Sequence, residues 1–439
     1  MTDYIPMKEF AERRRKLMER MAPDSIAILP ASPERVRNRD VLHPFRQDSD
    51  FQYLTGFGEP DAVLVLIPGR EHGESVLFCK ERNPEKELWD GFLVGPEGAI
   101  ERFGLDDAFP ISDIDDILPG MIEGRSRVYY PLGKDHNFDT QVMDWVKLIR
   151  SKVRSGAQPP GEFVALEHHL HDLRLFKSAS EIKVMARAGE ISAKAHCRAM
   201  QRARQGGSEY NLEAELIHTF MDHGARSTAY PSIVGAGTNA CILHYIENSA
   251  PLKDGDLVLI DAGCEVECYA SDITRTFPVN GKFSEDQKAL YEVVLAAQYA
   301  AIDAVRPGNH WNHPHEAALE VLCQGLIDLG LLRGTVEQAI EQEAYKPFYM
   351  HRTGHWLGLD VHDVGDYKVG DAWRLLEPGM VLTVEPGLYI APDNTDVDPR
   401  WRGIGIRIED DVVVTRDGCR VLTDDVPKTV AGIEALMAG

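Results

Sequence analysis

The sequence is poor in cysteine and has no long apolar run. Its 439 residues include seven cysteines, and no second pair follows Cys264 and Cys268 at the spacing of a zinc site. A disulfide framework is therefore not expected, and a reducing compartment fits better. No apolar stretch reaches the roughly 20 residues of a membrane-spanning helix, so a membrane is not expected as a partner.

A targeting segment is also not expected at the N-terminus. Charged residues occupy most of positions 8–20, where a signal peptide needs an apolar core. Met7, Phe10 and Leu17 instead recur at the spacing of an amphipathic helix. These features predict a cytoplasmic protein.

Basic residues are scarce relative to acidic ones. The chain has 47 lysines and arginines against 70 aspartates and glutamates, which gives a net charge of −23. An acidic chain repels phosphate backbones, so nucleic acid is not expected as a partner. Low-complexity tracts and solenoid repeats are missing as well. The length and the 44% hydrophobic content instead predict a globular protein of two domains.

The first part of the chain alternates short apolar runs with helical sequence, which is typical of an α/β domain. Strands are predicted at 25–30, 62–68, 75–80 and 127–132, and a helix is predicted at 138–153. Ser178 and Glu181 then form a capping-box pattern at the start of a long helix. We therefore place the domains at 1–174 and 175–439.

The second part has runs of helix and runs of strand without regular alternation, which indicates an α+β domain. Helices are predicted at 179–203, at 208–223 and after Ser284, and strands in 231–279 and 380–422. Gln287 lies three residues after Ser284, so this helix also has a capping-box pattern.

Carboxylate and imidazole side chains stand in strand-like and glycine-rich segments of this second domain. The candidates are Asp261, Asp272, His355, Glu385 and Glu409. A set made mostly of carboxylate oxygens favours ions such as manganese over a structural zinc site. Two such ions side by side activate water against a carbonyl or phosphoryl group. The sequence therefore predicts a metal-dependent hydrolase.

Two of these carboxylates lie on a predicted hairpin over residues 257–277. A turn between Val266 and Glu267 would place Asp261 directly opposite Asp272, with Cβ atoms roughly 4.5–5.5 Å apart. Bare carboxylates at that distance repel each other unless a cation lies between them. The pair therefore supports the prediction of a metal site.

Arg407 and Glu409 share one face of a predicted strand by the two-residue period. An arginine at that place could hold a metal-binding carboxylate in position. An ordinary surface ion pair is the alternative interpretation.

Histidines cluster around the candidate His355. The segment HRTGHWLGLDVHD contains His351, His355 and His362. Its glycines permit close approach of the backbone, and extra histidines can shuttle protons or donate to an oxyanion. His244 is a further candidate in a separate segment. A second histidine group is predicted to be structural or solvent-exposed, and it consists of His310, His313 and His315.

These segments together resemble the pita-bread metallopeptidases, and among them the Xaa-Pro aminopeptidase (aminopeptidase P) family. The resemblance rests on IDAG, SDITRTF, TGHWLGLDVHD, VEPGLYI and GIRIEDD, on the junction HDLRLFKSASEI, and on residues 37–66. It covers essentially the whole chain. It implies an α/β N-terminal domain followed by an α+β pita-bread catalytic domain.

The resemblance also implies roles for individual residues. Two divalent ions, manganese in preference to cobalt or zinc, would be bound by Asp261, Asp272, His355, Glu385 and Glu409. Substrate contacts, charge stabilisation and support of the ligands would come from His244, His351, His362, Tyr389 and Arg407. Glu385 would also handle the proton of the attacking water. Asp40 and Trp89 would approach the active site of the same or a neighbouring subunit in a homo-oligomer, a tetramer or a dimer. A packed core position is the alternative for Trp89.

The implied reaction is hydrolysis of the bond between the first residue and a proline in second position, by a hydroxide that bridges two metal ions. The proline nitrogen has no hydrogen to donate, so this bond needs a specialised pocket. An Xaa-Pro dipeptidase is the alternative, and the N-terminal domain argues against it. A non-catalytic pita-bread protein is a further alternative, disfavoured by the intact ligand set. Methionine aminopeptidase is disfavoured by the additional domain.

Overall fold

The structure, a computed structural model, describes residues 5–439. The chain divides into two compact units, Met1–Arg174 and Leu175–Gly439. Each unit has an apolar core of its own. None of the described helices is long and apolar enough to cross a membrane.

The first unit is an α/β domain. Its strands are β1 (Ser25–Pro30), β2 (Val36–Asn38), β3 (Val41–Leu42), β4 (Val63–Leu66), β5 (Ser75–Cys79), β6 (Asp107–Pro110), β7 (Arg127–Tyr129) and β8 (Glu162–Val164). Its helices are α1 (Met7–Met18), α2 (Ser49–Thr55), α3 (Pro84–Asp90), α4 (Gly95–Phe103), α5 (Ile114–Ile122), α6 (His136–Ser151) and α7 (Glu167–Leu175). One mixed sheet has the order β6-β5-β4-β1-β7-β8, and β2 and β3 form a separate hairpin.

The strands and helices predicted for this unit are confirmed, with small shifts at their ends. Phe10 and Leu17 of α1 are buried, as their spacing predicts. Helix α6 begins at residue 136 rather than 138, because the Asp135 side chain caps it. That carboxylate accepts hydrogen bonds from the backbone N–H groups of Asn137 and Phe138.

The second unit is an α+β domain. Its helices are α8 (Ala179–Arg202), α9 (Glu209–Asp222), α10 (Glu285–Ala304), α11 (His313–Asp328), α12 (Val336–Glu341) and α13 (Val430–Ala438). Its strands are β9 (Ser227–Thr228), β10 (Ile233–Ala236), β11 (Leu257–Asp261), β12 (Cys264–Val266), β13 (Tyr269–Ala270), β14 (Thr274–Pro278), β15 (Lys368–Val369), β16 (Ala372–Trp373), β17 (Val381–Val384), β18 (Gly387–Tyr389), β19 (Gly405–Arg407), β20 (Asp410–Val414) and β21 (Cys419–Val421). The three-stranded sheets β10-β11-β14 and β17-β20-β21 are antiparallel.

Two predicted capping boxes are confirmed in this unit. The Ser178 hydroxyl accepts from the backbone N–H of Glu181, and the Glu181 carboxylate accepts from the backbone N–H of Ser178. Ser284 and Gln287 make the same reciprocal pair at the start of α10. Each pair satisfies two backbone donors at a helix start, which is why the sequence could locate both helices.

The hairpin that carries Asp261 differs from the predicted register. Its turn lies at Glu267 and Cys268, whose φ angles are 48° and 68°. Asp261 is therefore opposite Thr274, and the predicted pairing with Asp272 is wrong. Two-residue turns with positive φ are normally marked by asparagine or glycine, and neither residue stands here. The register shift is two residues, so both carboxylates still lie on one face.

Candidate metal centre

A cavity of about 450 Å³ in the second unit brings together residues from distant parts of the sequence. The candidate metal ligands all line it: Asp261, Asp272, His355, Glu385 and Glu409. Further residues with predicted roles also line it: His244, His351, His362 and Arg407. The strands β11, β14, β17 and β20 position the carboxylates at or beside their ends. The cavity thus gathers the predicted site, while the role of each residue stays a prediction.

The geometry of the acidic cluster fits a divalent cation. Ligand atoms of Asp272, His355 and Glu409 all lie within 4.8 Å of one another. His355 Nε2 lies 3.4 Å from Asp272 Oδ2 and 3.7 Å from Glu385 Oε1. The other ring nitrogen, Nδ1, donates a hydrogen bond to the carbonyl oxygen of Trp356 at 2.9 Å. When the ring is neutral, as a metal ligand has to be, this bond directs the Nε2 lone pair towards the carboxylates.

The charge of the cluster fits a cation as well. Burial, followed by the negative charges of Asp272 and Glu385, raises the pKa of Glu409 well above its ordinary value. Burial likewise raises the pKa of Glu385 to about 7. For His355, burial lowers the pKa, but Asp272 and Glu385 outweigh it and raise the value to about 9. Bound divalent cations would relieve the repulsion among these carboxylates.

Tyr230 also lines the cavity beside this cluster, although no sequence pattern indicated it. Its hydroxyl lies 2.6 Å from Asp261 Oδ1 and also within hydrogen-bond distance of Asp272 Oδ1. The hydroxyl has a single proton and two carboxylates compete for it. Tyr230 stands in the loop before β10, where no spacing rule relates it to the carboxylates of the hairpin.

Arg407 supports the cluster differently from the prediction. Its Nη2 donates to Asp261 Oδ2 at 2.6 Å, so its direct carboxylate partner is Asp261 rather than Glu409. It reaches Glu409 through Thr274: Arg407 Nε donates to Thr274 Oγ1 at 3.1 Å, and that hydroxyl donates to Glu409 Oε2 at 2.7 Å. Thr274 was missed, although it follows Asp272 by the two-residue period of a strand face. The surface ion pair considered as an alternative is wrong, because Arg407 is 4% exposed.

His351 is held in a defined tautomer at the cavity wall. Its Nδ1 donates to the carbonyl oxygen of Arg352 at 2.7 Å, so Nε2 accepts from the Tyr389 hydroxyl at 2.8 Å. Tyr389 in turn accepts from Arg407 Nη1 at 2.8 Å. Burial and then the charge of Arg407 lower the pKa of His351 to about 4. Tyr389 is buried and does not line the cavity. Its hydroxyl is bonded to His351 and Arg407.

His362 stands beside His355, with ring centroids 4.3 Å apart and planes at 80°. Burial, followed by the charge of His355, lowers the pKa of His362, which favours the neutral ring. The loop that carries His362 is fixed by the buried ion pair of Lys177 Nζ with Asp363 Oδ2 at 2.9 Å. A Cβ at Gly358 would lie 2.1 Å from that same Oδ2, so this glycine allows the loop to close.

The two candidates in the first unit are both solvent-exposed. Asp40 lies in the turn between β2 and β3. Trp89 on α3 is 86% exposed, next to Leu88 at 84% and near Phe92 at 87%. The alternative of a packed core tryptophan is therefore wrong. The three apolar side chains are close in sequence, and each of them is exposed.

The second histidine group has a local structural arrangement. The rings of His310 and His313 stack at 3.6 Å. Each Nδ1 accepts from a backbone N–H, that of Asn312 and of His310 respectively, which leaves the proton of each neutral ring on Nε2. These two rings with Glu316 could approach one ion, but the protonated Nε2 positions disfavour it. His315 instead bonds Thr353 Oγ1 through its Nδ1 at 2.8 Å.

Comparisons with known proteins agree with this geometry. Residues 183–416 match the family described as metallopeptidase family M24, and residues 10–129 match the aminopeptidase P N-terminal domain. The chain is 48% identical to the Xaa-Pro aminopeptidase of Escherichia coli K12, over 99% of this chain and 98% of that protein.

Solved structures show the same similarity. The aminopeptidase PepP of Pseudomonas aeruginosa is 67% identical with a TM-score of 0.98, over 99% of this chain and 98% of that one. The proline aminopeptidase P II of Yersinia pestis is 49% identical with a TM-score of 0.96, over 99% and 100% of the two chains. The fold is therefore the pita-bread fold preceded by an α/β domain, as expected. The chain belongs to metallopeptidase family M24, a family of hydrolases that use divalent metal ions, and it carries the aminopeptidase P N-terminal domain.

Proposed function

We propose that the protein is an Xaa-Pro aminopeptidase, which hydrolyses the bond between an N-terminal residue and a proline in second position. The observation that carries this proposal is the single cavity that combines the acidic cluster with His351 and His362. The full-length similarity to Xaa-Pro aminopeptidases supports it. The dipeptidase alternative is disfavoured by the N-terminal domain, which matches the aminopeptidase P type.

The metal centre of this enzyme would use two divalent cations, with manganese favoured over cobalt or zinc by the oxygen-rich donor set. The residues that would hold them are Asp261, Asp272, His355, Glu385 and Glu409. When bound, the cations supply Lewis acidity to the substrate carbonyl and lower the pKa of water.

The surrounding side chains of the chain supply proton transfer and orientation. The Glu385 carboxylate, which lines the cavity, would take a proton from the attacking water and deliver it to the departing nitrogen. That nitrogen needs a proton as the C–N bond breaks, because it would otherwise leave as a strongly basic amide anion. An N–H of the neutral His362 ring would donate to the developing oxyanion. His351, whose ring is oriented by Tyr389, would pack against the substrate at the cavity wall.

We further propose a cytoplasmic homo-oligomer, a tetramer or a dimer. The exposed apolar side chains Leu88, Trp89 and Phe92 support the assembly, because such a group is costly to leave in water. Light scattering of the purified protein would measure the assembly. A monomer at micromolar concentration would contradict this part of the proposal.

The decisive experiment for the activity is a peptide panel with added manganese. The panel compares Ala-Pro, Ala-Pro-Ala, a longer peptide with proline second, and N-acetylated Ala-Pro-Ala. We expect release of the first residue from the tripeptide and the longer peptide, and no reaction after acetylation. Cleavage of Ala-Pro without cleavage of Ala-Pro-Ala would identify a dipeptidase instead.

A further inference from the structure

Arg352 is a cation at the cavity wall whose side chain contacts Asn312 and Trp373 rather than the carboxylates of the acidic cluster. It is exposed and lines the cavity. The other arginine of the lining, Arg407, is buried and bonded to Asp261 at 2.6 Å. Arg352 differs in its contacts: within residues 5–439, its hydrogen bond and its ring contact are made to groups without charge, Asn312 and Trp373.

The position of the Arg352 guanidinium is nevertheless fixed. Its Nη2 donates to Asn312 Oδ1, and the Asn312 amide is oriented because Nδ2 donates to Glu316 Oε1 at 2.7 Å. The guanidinium carbon also lies 5.4 Å from the ring centroid of Trp373. An arginine held in this way loses little further freedom when it binds a ligand.

The chemistry of this position favours a carboxylate ligand. A guanidinium whose charge is not neutralised by an acidic neighbour offers planar donors that match the two oxygens of a carboxylate. The acidic cluster deeper in the cavity would be offset by the divalent cations that it is proposed to hold, so it need not repel an anionic group at Arg352. A peptide substrate always carries a carboxylate at a free C-terminus and commonly carries one on an acidic side chain.

We propose that Arg352 binds a carboxylate of the peptide substrate and so gives the enzyme a preference for peptides that present one there. The carboxylate is either the C-terminal group of a short peptide or an acidic side chain. This inference rests on the proposed function, because it takes peptides with proline second as the substrates. Arg352 is then a specificity-determining residue, and its effect appears mainly in KM.

The test uses matched peptides that differ in one carboxylate. Ala-Pro-Ala is compared with its C-terminal amide, Glu-Pro-Ala-amide with Gln-Pro-Ala-amide, and Ala-Pro-Glu-amide with Ala-Pro-Gln-amide. The ratio of kcat/KM within each pair is measured for the manganese-loaded enzyme at low and high salt. The pair with the largest ratio identifies which source supplies the carboxylate.

The variants are Arg352→Gln, Arg352→Lys and the control Lys368→Gln. Lys368 is the matched control because its Nζ lies 4.6 Å from the centroid of the same Trp373 ring, yet it does not line the cavity. We expect the wild-type ratio in one pair to be about three- to tenfold, as exposed or partly exposed charge pairs give. Arg352→Gln abolishes this ratio, Arg352→Lys reduces it, Lys368→Gln keeps it, and high salt weakens it.

A ratio of one in every wild-type pair, or a ratio that persists in Arg352→Gln, overturns the role of Arg352 and leaves the proposed function standing. If the wild-type enzyme cleaves none of the peptides, including Ala-Pro-Ala, the proposed function fails and the inference fails with it. Equal metal content in all variants, measured by elemental analysis, shows that any change arises at the substrate. A loss of metal in Arg352→Gln would also overturn the proposal, because the residue would then act on the metal centre.

Discussion

Two groups of side chains around buried or largely buried carboxylates lie next to each other in the second unit, and they differ in how their charge is balanced. The open group lines the cavity and consists of Asp261, Asp272, Glu385 and Glu409. The sealed group consists of Asp410 and its partners Arg275, Lys428 and Gln298. Asp410 is the residue after Glu409 and is fully buried. Neighbouring residues in extended backbone point to opposite sides, so one step along the chain separates the two environments.

The sealed group carries its own counter-charges. Asp410 accepts from Arg275 Nη2 at 2.8 Å, Lys428 Nζ at 2.7 Å and Gln298 Nε2 at 2.6 Å. Burial raises the pKa of Asp410, but the charges of Arg275 and Lys428 outweigh it and leave the pKa below its ordinary value. Within residues 5–439 the Glu409 carboxylate is bonded to Thr274 rather than to a cationic side chain, and burial and its acidic neighbours raise its pKa well above the ordinary value. The comparison indicates that the charge of Asp410 is balanced within the fold, whereas the charge of the open group would be balanced by the divalent cations that we propose it holds.

The largest expected effect is that of the Glu409→Gln variant, which tests the open group. We expect Glu409→Gln to lose almost all turnover and to bind less metal, because the site loses one of the carboxylates that neutralise the cations. Its metal-free form should be at least as stable as the wild type, since one repulsive charge is removed. Peptide turnover, elemental analysis and thermal unfolding in chelator measure the three quantities. Normal turnover with a full metal complement would remove Glu409 from the ligand set.

Asp410→Asn is expected to produce the opposite pattern. The change leaves the buried Arg275 and Lys428 without their carboxylate, which typically costs about 3–5 kcal/mol of unfolding free energy. Denaturant unfolding of the metal-free protein measures that cost, and Asp417→Asn, at an exposed position, is the matched control. Metal bound per folded chain should stay close to the wild-type value. If stability were unchanged while metal was lost, Asp410 would belong to the open group.

The sequence could predict the membership of the open group but not the contrast between the groups. Strand ends, glycine-rich turns and the family resemblance located Glu409 and its partners. The partners of Asp410 are Arg275 of β14, Gln298 of α10 and Lys428 before α13, and no local pattern joins these segments. The hairpin register was missed for a similar reason, since the turn at Glu267 and Cys268 has no asparagine or glycine. Tertiary charge balance therefore has to be read from the structure.

His362→Ala sharpens the comparison, because it tests a group that faces the cavity without belonging to the acidic cluster. We expect the variant to keep its metal and to lose turnover by about 10²–10³-fold, the usual cost of one donor to a developing oxyanion. His310→Ala is the control, since His310 is absent from the cavity lining. Activity and metal content are measured on the same samples. A parallel fall of metal and activity would make His362 a ligand.

The smallest effect is expected at Tyr230, whose hydroxyl is shared between Asp261 Oδ1 and Asp272 Oδ1. Tyr230→Phe removes the hydrogen bond that orients these carboxylates but leaves the carboxylates themselves. We therefore expect metal affinity to fall by about 10–100-fold, as is typical when a supporting hydrogen bond to a ligand is lost. Turnover should return to near the wild-type value when metal is added in excess, because the cluster can still be filled.

The matched control for Tyr230→Phe is Tyr245→Phe. The hydroxyl of Tyr245 is also bonded to a carboxylate, Glu209 Oε2 at 2.8 Å, but Tyr245 is absent from the cavity lining. Its loss should cost roughly 1 kcal/mol of stability without changing metal affinity. Competition with a chelating dye measures the affinities of both variants. If Tyr230→Phe bound metal as tightly as the wild type, the hydroxyl would not orient the ligands, and the open group would be positioned by Arg407 and the backbone alone.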